Sequence, residues 1–293
     1  MKIIRSLREM SSHALKLRRE GVRVGLVPTM GCLHEGHLSL LRLLDGRCDR
    51  KAASIFVNPI QFGEGEDLDK YPRDEAHDLE LLAENGCNLV FIPDVQEMYP
   101  EDFQTYIEVE KLSKPLCGQF RPGHFRGVAT VVNRLFNLTG CSVAAFGLKD
   151  YQQARVVERM VEDLNLPVEL VFGETVRESD GLAMSSRNAY LSAEERELAV
   201  RIPTALEWAR RQGENGVDDC GLIRDGMLTI LNPLLKIKVQ YLSAVDPMTL
   251  EPRSEVGGSV QILLAAFIGR TRLIDNIRIG PGSGTKPIKG VSV

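Results

Sequence analysis

The sequence predicts an α/β protein, a doubly wound parallel sheet followed by a smaller α+β domain. Three observations carry that prediction. Between residues 22 and 173, apolar runs alternate with amphipathic helical patterns, the rhythm of parallel strands joined by crossover helices. After about residue 176 the rhythm changes to two helices and then three strand runs in succession. A length of 293 residues, 43% of them hydrophobic, is enough to bury one large core or two modest ones, so a change of character near 176 reads as a domain junction.

The elements follow in order. Strand runs are RVGLVP (23–28), KAASIFVN (51–58), NLVFIP (88–93), CSVAAFG (141–147) and VELVFG (168–173). Amphipathic helices lie between them over His37–Gly46, Arg73–Gly86, Gly127–Leu138 and Asp150–Leu164. Sheets of this kind, Rossmann-like in their alternation, take ligands at the carboxyl ends of their strands. Residues 103–125 interrupt the rhythm with one extra strand-like run and the loop KPLCGQFRPGHFRG. Ser192 and Glu195 form a capping box that starts a helix running to about Gln212. A second helix covers Gly221–Leu231, and the strands are KVQYLSAV (238–245), VQILLAAFI (260–268) and TRLIDNIRI (271–279). The expected division is 1–175, 176–280 and a disordered Gly-, Lys- and Ser-rich tail, 281–293.

Composition excludes some functions. A net charge of −4 gives no general attraction for nucleic acid or anionic membrane. No apolar run reaches membrane-spanning length, and MKIIRSLREM lacks the apolar core of a signal peptide. The six cysteines form no C-x-x-C pair, as expected of reduced thiols in a cytoplasmic protein.

The stretch PTMGCLHEGHLSLL (28–41) places two of the chain's five histidines, His34 and His37, where a buried strand passes into a helix. HEGH is one residue short of the zinc motif H-E-x-x-H, and His13, His77 and His124 supply no clustered third ligand. An anion site fits better. A strand that ends in a glycine turn and opens a helix presents free backbone N–H groups, and first-turn histidines add donors for phosphate oxygens. An ordinary helix start with exposed histidines is the competing reading. Two further segments favour the anion site. FGLKDYQQ (146–153) sets Lys149 and Asp150 at another strand's carboxyl end, and RESDGLAMSSRN (177–188) offers Ser185, Ser186 and Arg187 as a donor-rich loop near the junction. No G-x-S-x-G elbow is present, so neither serine reads as a hydrolase nucleophile.

Taken with SIFVNPIQFG (54–63), DLDKYPR (67–73), RPGHFRGVATVV (121–132) and TRLIDNIRI, these segments resemble the pantoate–β-alanine ligases, nucleotidyl-transferring enzymes with an H-x-G-H signature. The resemblance spans nearly the whole chain. It departs at Cys32, where the family pattern has alanine, and at Ser179, where it has proline. It implies ATP-dependent ligation of (R)-pantoate and β-alanine through a pantoyl adenylate, with release of AMP and pyrophosphate. It also implies Mg²⁺, whose protein ligands the sequence leaves unassigned, and a homodimer. Nucleic acid and membrane partners are not expected.

Residue by residue, the resemblance places Met30, Gly31, Cys32, Leu33, His34, Glu35, Gly36 and His37 in an ATP cradle, with His37 facing the departing pyrophosphate. Gly147, Leu148, Lys149 and Asp150 contact nucleotide, Lys149 neutralising phosphate charge. Val176 borders the adenine, and Met184, Ser185, Ser186 and Arg187 close over the phosphates. Gln61 and Gln153 hold pantoate, Gln61 also lies near β-alanine, and Asn58 assists them. His124 reads equally as a substrate neighbour or a structural histidine. Cys32, just before a helix start, has two readings: a thiol that favours the thiolate, alkylates faster than the other thiols and is protected by MgATP, or a small buried filler in place of alanine, inert to reagents.

Overall fold

The computed structural model describes residues 1–232 and 236–280. The tail 281–293, expected to be disordered, lies outside the described residues. The first sheet comprises β1 (Lys2–Ile4), β2 (Val24–Thr29), β3 (Arg50–Ile55), β4 (Leu89–Phe91), β5 (Val143–Gly147) and β6 (Glu169–Gly173). All six run parallel, in the order β1-β4-β3-β2-β5-β6. The crossover elements include α1 (Leu7–Arg19), α2 (Glu35–Leu43), α3 (Glu75–Glu84), a one-turn α4 (Val95–Met98), a one-turn α5 (Cys117–Phe120), α6 (His124–Thr139) and α7 (Tyr151–Asp163). The chain winds outward from β2 through β3 and β4, then returns to lay β5 on the other side of β2. The topological switch point therefore lies between β2 and β5, where such sheets hold their ligands.

The second part carries α8 (Ala193–Ala199), α9 (Arg201–Glu214) and α10 (Cys220–Leu231) with β7 (Ile237–Val245), β8 (Val260–Ile268) and β9 (Thr271–Ile279). These strands form an antiparallel sheet in the order β7-β8-β9. It has its own core around Ile202, Leu206, Met227 and Leu264, while Val245, Leu250 and Leu263 pack into the core of the first sheet. No helix among the described residues is long and apolar enough to cross a membrane.

Three expectations change. Alternation starts not at 22 but at Lys2, because β1 and α1 add a strand and an amphipathic helix burying Met10, Ala14 and Leu17. The strand-like run after 103 is not a strand: Ile107 N–H is donated to Thr130 Oγ1 of α6, and β1 already occupies the sheet edge beside β4. The long helix from Ser192 is two helices that break at Val200. Pro203, in the first turn of α9, has no N–H for the Ala199 carbonyl, so the ladder cannot run through.

Candidate functional site

A cleft opens at the carboxyl ends of β2, β3, β5 and β6. The strand-to-helix turn after β2 builds its floor. Gly31 takes φ +82°, Cys32 takes the left-handed φ +51° that side chains disfavour, and Asp78 of α3 holds the Cys32 end of the turn in place. Its carboxylate, 1% exposed, accepts the amides of Cys32 at 2.9 Å and Leu33 at 2.7 Å. A Cβ at Gly31 would lie 2.9 Å from Asp78 Oδ2, so only glycine fits there.

That geometry corrects the expectation of free backbone donors. Gly31 N–H goes to Thr29 Oγ1, Cys32 and Leu33 to Asp78, His34 to His37 Nδ1, Gly36 to His34 Nδ1 and His37 to His34 O. These amides are spoken for by the protein itself, so an anion here must be met chiefly by side chains. Met30, His34, Gly36 and His37 line the cleft, whereas Gly31, Cys32, Leu33 and Glu35 stand outside its lining.

The two histidines are arranged for that task. His34 is the N-cap of α2 and forms a reciprocal capping box with His37. Because each Nδ1 accepts a backbone N–H, at 3.1 Å for His34 and 3.3 Å for His37, each neutral ring must carry its proton on Nε2. Capping thus fixes both tautomers and leaves an Nε2–H donor on each ring, with centroids 4.2 Å apart. Burial, then the charge of Lys149, pulls His34 down to about 4; burial, then His34 and Lys149, pulls His37 down to about 3. Both are neutral donors at pH 7.

Across the switch point, the turn after β5 (148–150) brings Lys149 and Asp150 into the cleft with Gly147, while Leu148 is not part of the lining. Lys149 Nζ sits 3.9 Å from Asp150 Oδ2, a loose contact that leaves the ammonium available. Val176, Met184, Ser185, Ser186 and Arg187 close the far side. Ser185 Oγ caps its own turn by accepting Arg187 N–H at 3.2 Å, and Ser186 Oγ lies 3.3 Å from Tyr71 OH. The Arg187 guanidinium is held bidentately by Asp67, 2.9 Å on each arm, so a phosphate must compete with or share this partner.

Gln61, Gln153 and Asn58 line the same cleft. Asn58, 1% exposed, accepts Tyr99 OH at 2.9 Å and donates to Gln61 Oε1 at 2.9 Å and to Gly127 O at 3.2 Å. With its oxygen engaged and one amide N–H donated to Met30 Sδ at 3.1 Å, Gln61 has its second amide N–H to offer. His124 is structural: Nδ1–H donates to the Gln61 carbonyl at 2.8 Å and Nε2 accepts from Arg121 at 3.2 Å. At Gly127 a Cβ would come 2.6 Å from Ile60 O, so the glycine lets α6 press against the turn that carries Gln61. Asp78, Asp67, Tyr71 and Tyr99 had no role in the sequence reading, although Asp67 and Tyr71 stand in the quoted DLDKYPR.

The surroundings of Cys32 disfavour the thiolate. Burial raises its pKa, and Asp78 and then Asp74 raise it further, while the helix N-terminus that would have lowered it is capped by His34. Iodoacetamide at neutral pH is expected to label Cys32 more slowly in the folded protein than in the urea-unfolded chain. Faster labelling of the folded protein, read by mass mapping, would restore the thiolate.

A parallel sheet with a histidine pair on one side of its switch point and a lysine on the other is the build of an α/β enzyme that handles a nucleotide. The comparisons give the class its family. The chain matches the family described as Pantoate-beta-alanine ligase over residues 2–278, and it belongs to that family. It is 50% identical over 278 residues to a pantothenate synthetase of Sulfurihydrogenibium sp. (strain YO3AOP1), covering 94% of this chain and 99% of that one. Pantothenate synthetase from Thermus thermophilus superposes with a TM-score of 0.91 at 45% identity, covering 96% of this chain and 100% of that one. Pantoate-beta-alanine ligase from Francisella tularensis, solved in complex with beta-gamma ATP and beta-alanine, superposes with a TM-score of 0.79 at 30% identity, covering 94% and 97%.

Proposed function

We propose that the chain joins (R)-pantoate to β-alanine at the expense of ATP, through a pantoyl adenylate, with residues 1–175 holding nucleotide and pantoate and residues 176–280 closing over them. The observation that carries this reading is the convergence, in one cleft at the switch point, of Lys149, two neutral imidazole donors and an amide pair. A carboxylate resists amine attack because its oxygen is a poor leaving group, and transfer of AMP to it solves that problem. Pantoate's carboxylate attacks the α-phosphorus as the bond to pyrophosphate breaks; β-alanine's amine then attacks the acyl carbon as AMP leaves. No covalent protein intermediate is needed, so the residues act by position and charge.

Each group has a task in that sequence. Gln61 and Gln153 orient pantoate, since amides meet hydroxyls and a carboxylate without adding charge. Lys149 and the Nε2–H groups of His34 and His37 face the charge that grows on the departing pyrophosphate. The positive field of Lys149, which helps hold both rings neutral, also favours the triphosphate. Arg187 joins them when phosphate competes it away from Asp67.

Mg²⁺ belongs to this reading as the ion that screens the triphosphate. Among the described residues no group of three or more His, Cys, Asp or Glu is placed to hold a metal. The residues suit Mg²⁺ bound mainly by phosphate oxygens and water, with Asp150 or Glu174, both in the cleft lining, as a carboxylate partner. A cytoplasmic homodimer is proposed on family resemblance.

Partial reactions test the scheme. Labelled pyrophosphate should exchange into ATP with pantoate alone, while net AMP release should require β-alanine. Exchange that strictly needs β-alanine would contradict the two-step order.

A further inference from the structure

The strand motif TRLIDNIRI has no part in the chemistry above, yet its centre is polar and buried. On β9, Asp275 is 2% exposed and Asn276 8%, and on β8 Gln261, two register positions away from Asn276 and paired with Arg278, is 3% exposed. Buried amides and carboxylates are costly unless bonded, so their partners show what they are for. Asn276 Nδ2 donates to two successive carbonyls of another element, Leu148 O and Lys149 O, each at 2.9 Å. Its Oδ1 accepts from Gln261 Nε2 at 2.7 Å. The amide has one orientation: flipped, its oxygen would face two carbonyl oxygens and its nitrogen would face a donor.

The position of those carbonyls matters. A turn that receives an anion must keep its carbonyl oxygens away from it, because carbonyl dipoles repel negative charge. The peptides are trans, so the N–H groups of Lys149 and Asp150 point opposite to the oxygens that Asn276 holds. Lys149 and Asp150 line the cleft, and Asn276 does not. Asn276 therefore stands behind the turn and draws its two carbonyls backward.

The neighbouring residue reaches the other loop. Asp275 accepts both arms of Arg177, at 2.7 and 3.0 Å, and Arg177 Nη1 also donates to Gly181 O at 3.0 Å. Asp275 Oδ1 further accepts the Asn276 N–H at 2.8 Å. Arg177 and Gly181 belong to the segment that leads into Met184–Arg187. One dipeptide of β9 thus touches the supports of both loops that flank the cleft.

We propose that Asn276 is a positioning residue for the phosphate site: its side-chain amide, oriented by Gln261, sets the 148–150 turn so that Lys149 and the turn's amides face the nucleotide. The inference rests on the reading of 147–150 as a phosphate-facing turn, and it makes the second sheet part of the ATP site although Asn276 does not line the cleft.

The test uses the full-length protein, with ATP affinity measured by calorimetry and pantoate KM by steady-state turnover. Asn276→Ala is expected to weaken ATP binding about ten-fold, the scale for losing buried hydrogen bonds, and to leave pantoate KM within roughly two-fold. Gln261→Leu keeps both Asn276 donors and frees only their orientation, so it should weaken ATP binding in the same direction by about three-fold. A purely structural role would instead lower affinity for both substrates together with the melting temperature. Unchanged ATP affinity in folded Asn276→Ala, or parallel loss for ATP and pantoate, overturns the proposal. If Asn276→Ala does not fold, unchanged ATP affinity in Gln261→Leu overturns it equally. Lys149→Ala separates the two levels. If it keeps full ATP affinity, the phosphate-turn reading fails; if it loses affinity while Asn276→Ala does not, only the role of Asn276 fails.

Discussion

Lys149→Ala and His37→Ala should each slow pantoate-dependent pyrophosphate exchange by about 10²-fold or more, the scale for removing one preorganised group that meets developing charge. Among the described residues the Lys149 ammonium makes only the loose contact to Asp150, so its removal strands no buried partner there and the fold should persist. His37→Ala gives up one half of the capping box on α2, a loss of about 1 kcal/mol. It should also change the acid stability in a defined direction. The ordinary histidine value is 6.5, against about 4 for His34 and about 3 for His37 in the folded protein. Between those values the unfolded chain holds protons that the folded chain does not, so stability falls as the pH is lowered through that window. Removing His37 removes one such group, and denaturant unfolding from pH 7 to pH 4 should show a shallower decline. Near-normal exchange by folded His37→Ala would show that the ring is not where the charge develops.

Those two residues were legible in the sequence as cleft-lining positions because each lies soon after a buried strand, Lys149 in the turn after β5 and His37 in the first turn of α2 after β2, and parallel sheets open their clefts at strand ends. The second sheet was legible as well: VQILLAAFI is a long apolar run and TRLIDNIRI a stretch rich in β-branched residues, the two separated by Gly269 and Arg270, and both are strands at the expected bounds. β1 escaped notice because three residues cannot show a period. The run around Ile107 misled because alternation reports a half-buried extended chain, and here the neighbour is the helix α6 rather than a strand. Within the site, what sequence reading missed are the supports. Asp78 reaches Leu33 across 45 residues, Tyr99 reaches Asn58 across 41, and Asn276 reaches Lys149 across 127. No local pattern announces such a bond. The Cys32 and Leu33 amides are taken up by one such distant partner, Asp78, and the Gly31 amide by Thr29 Oγ1, which is why a turn that reads in sequence as an open anion nest is satisfied from within the fold.

Asp78→Ala should therefore damage stability and nucleotide binding together. The carboxylate is nearly sealed from solvent and satisfies two backbone amides in a turn that includes a left-handed cysteine. Its removal leaves one part-buried and one buried donor without an acceptor, at about 1–3 kcal/mol each, so a loss of roughly 2–6 kcal/mol is expected in denaturant unfolding. Burial raises the Asp78 pKa despite the two amides, so charge alone is not what the site requires. Asp78→Asn then separates charge from acceptor count: its one carbonyl oxygen can serve one amide well, while its NH₂ faces the other. It should fall between wild type and Ala in both stability and ATP affinity. In Asp78→Ala the released turn no longer buries the Cys32 thiol beside a carboxylate, and labelling of Cys32 by iodoacetamide should accelerate. Full stability with a slow Cys32 in Asp78→Ala would show that the turn holds itself. A destabilised variant that binds ATP normally, measured well below its melting temperature, would show that the cleft does not depend on this support.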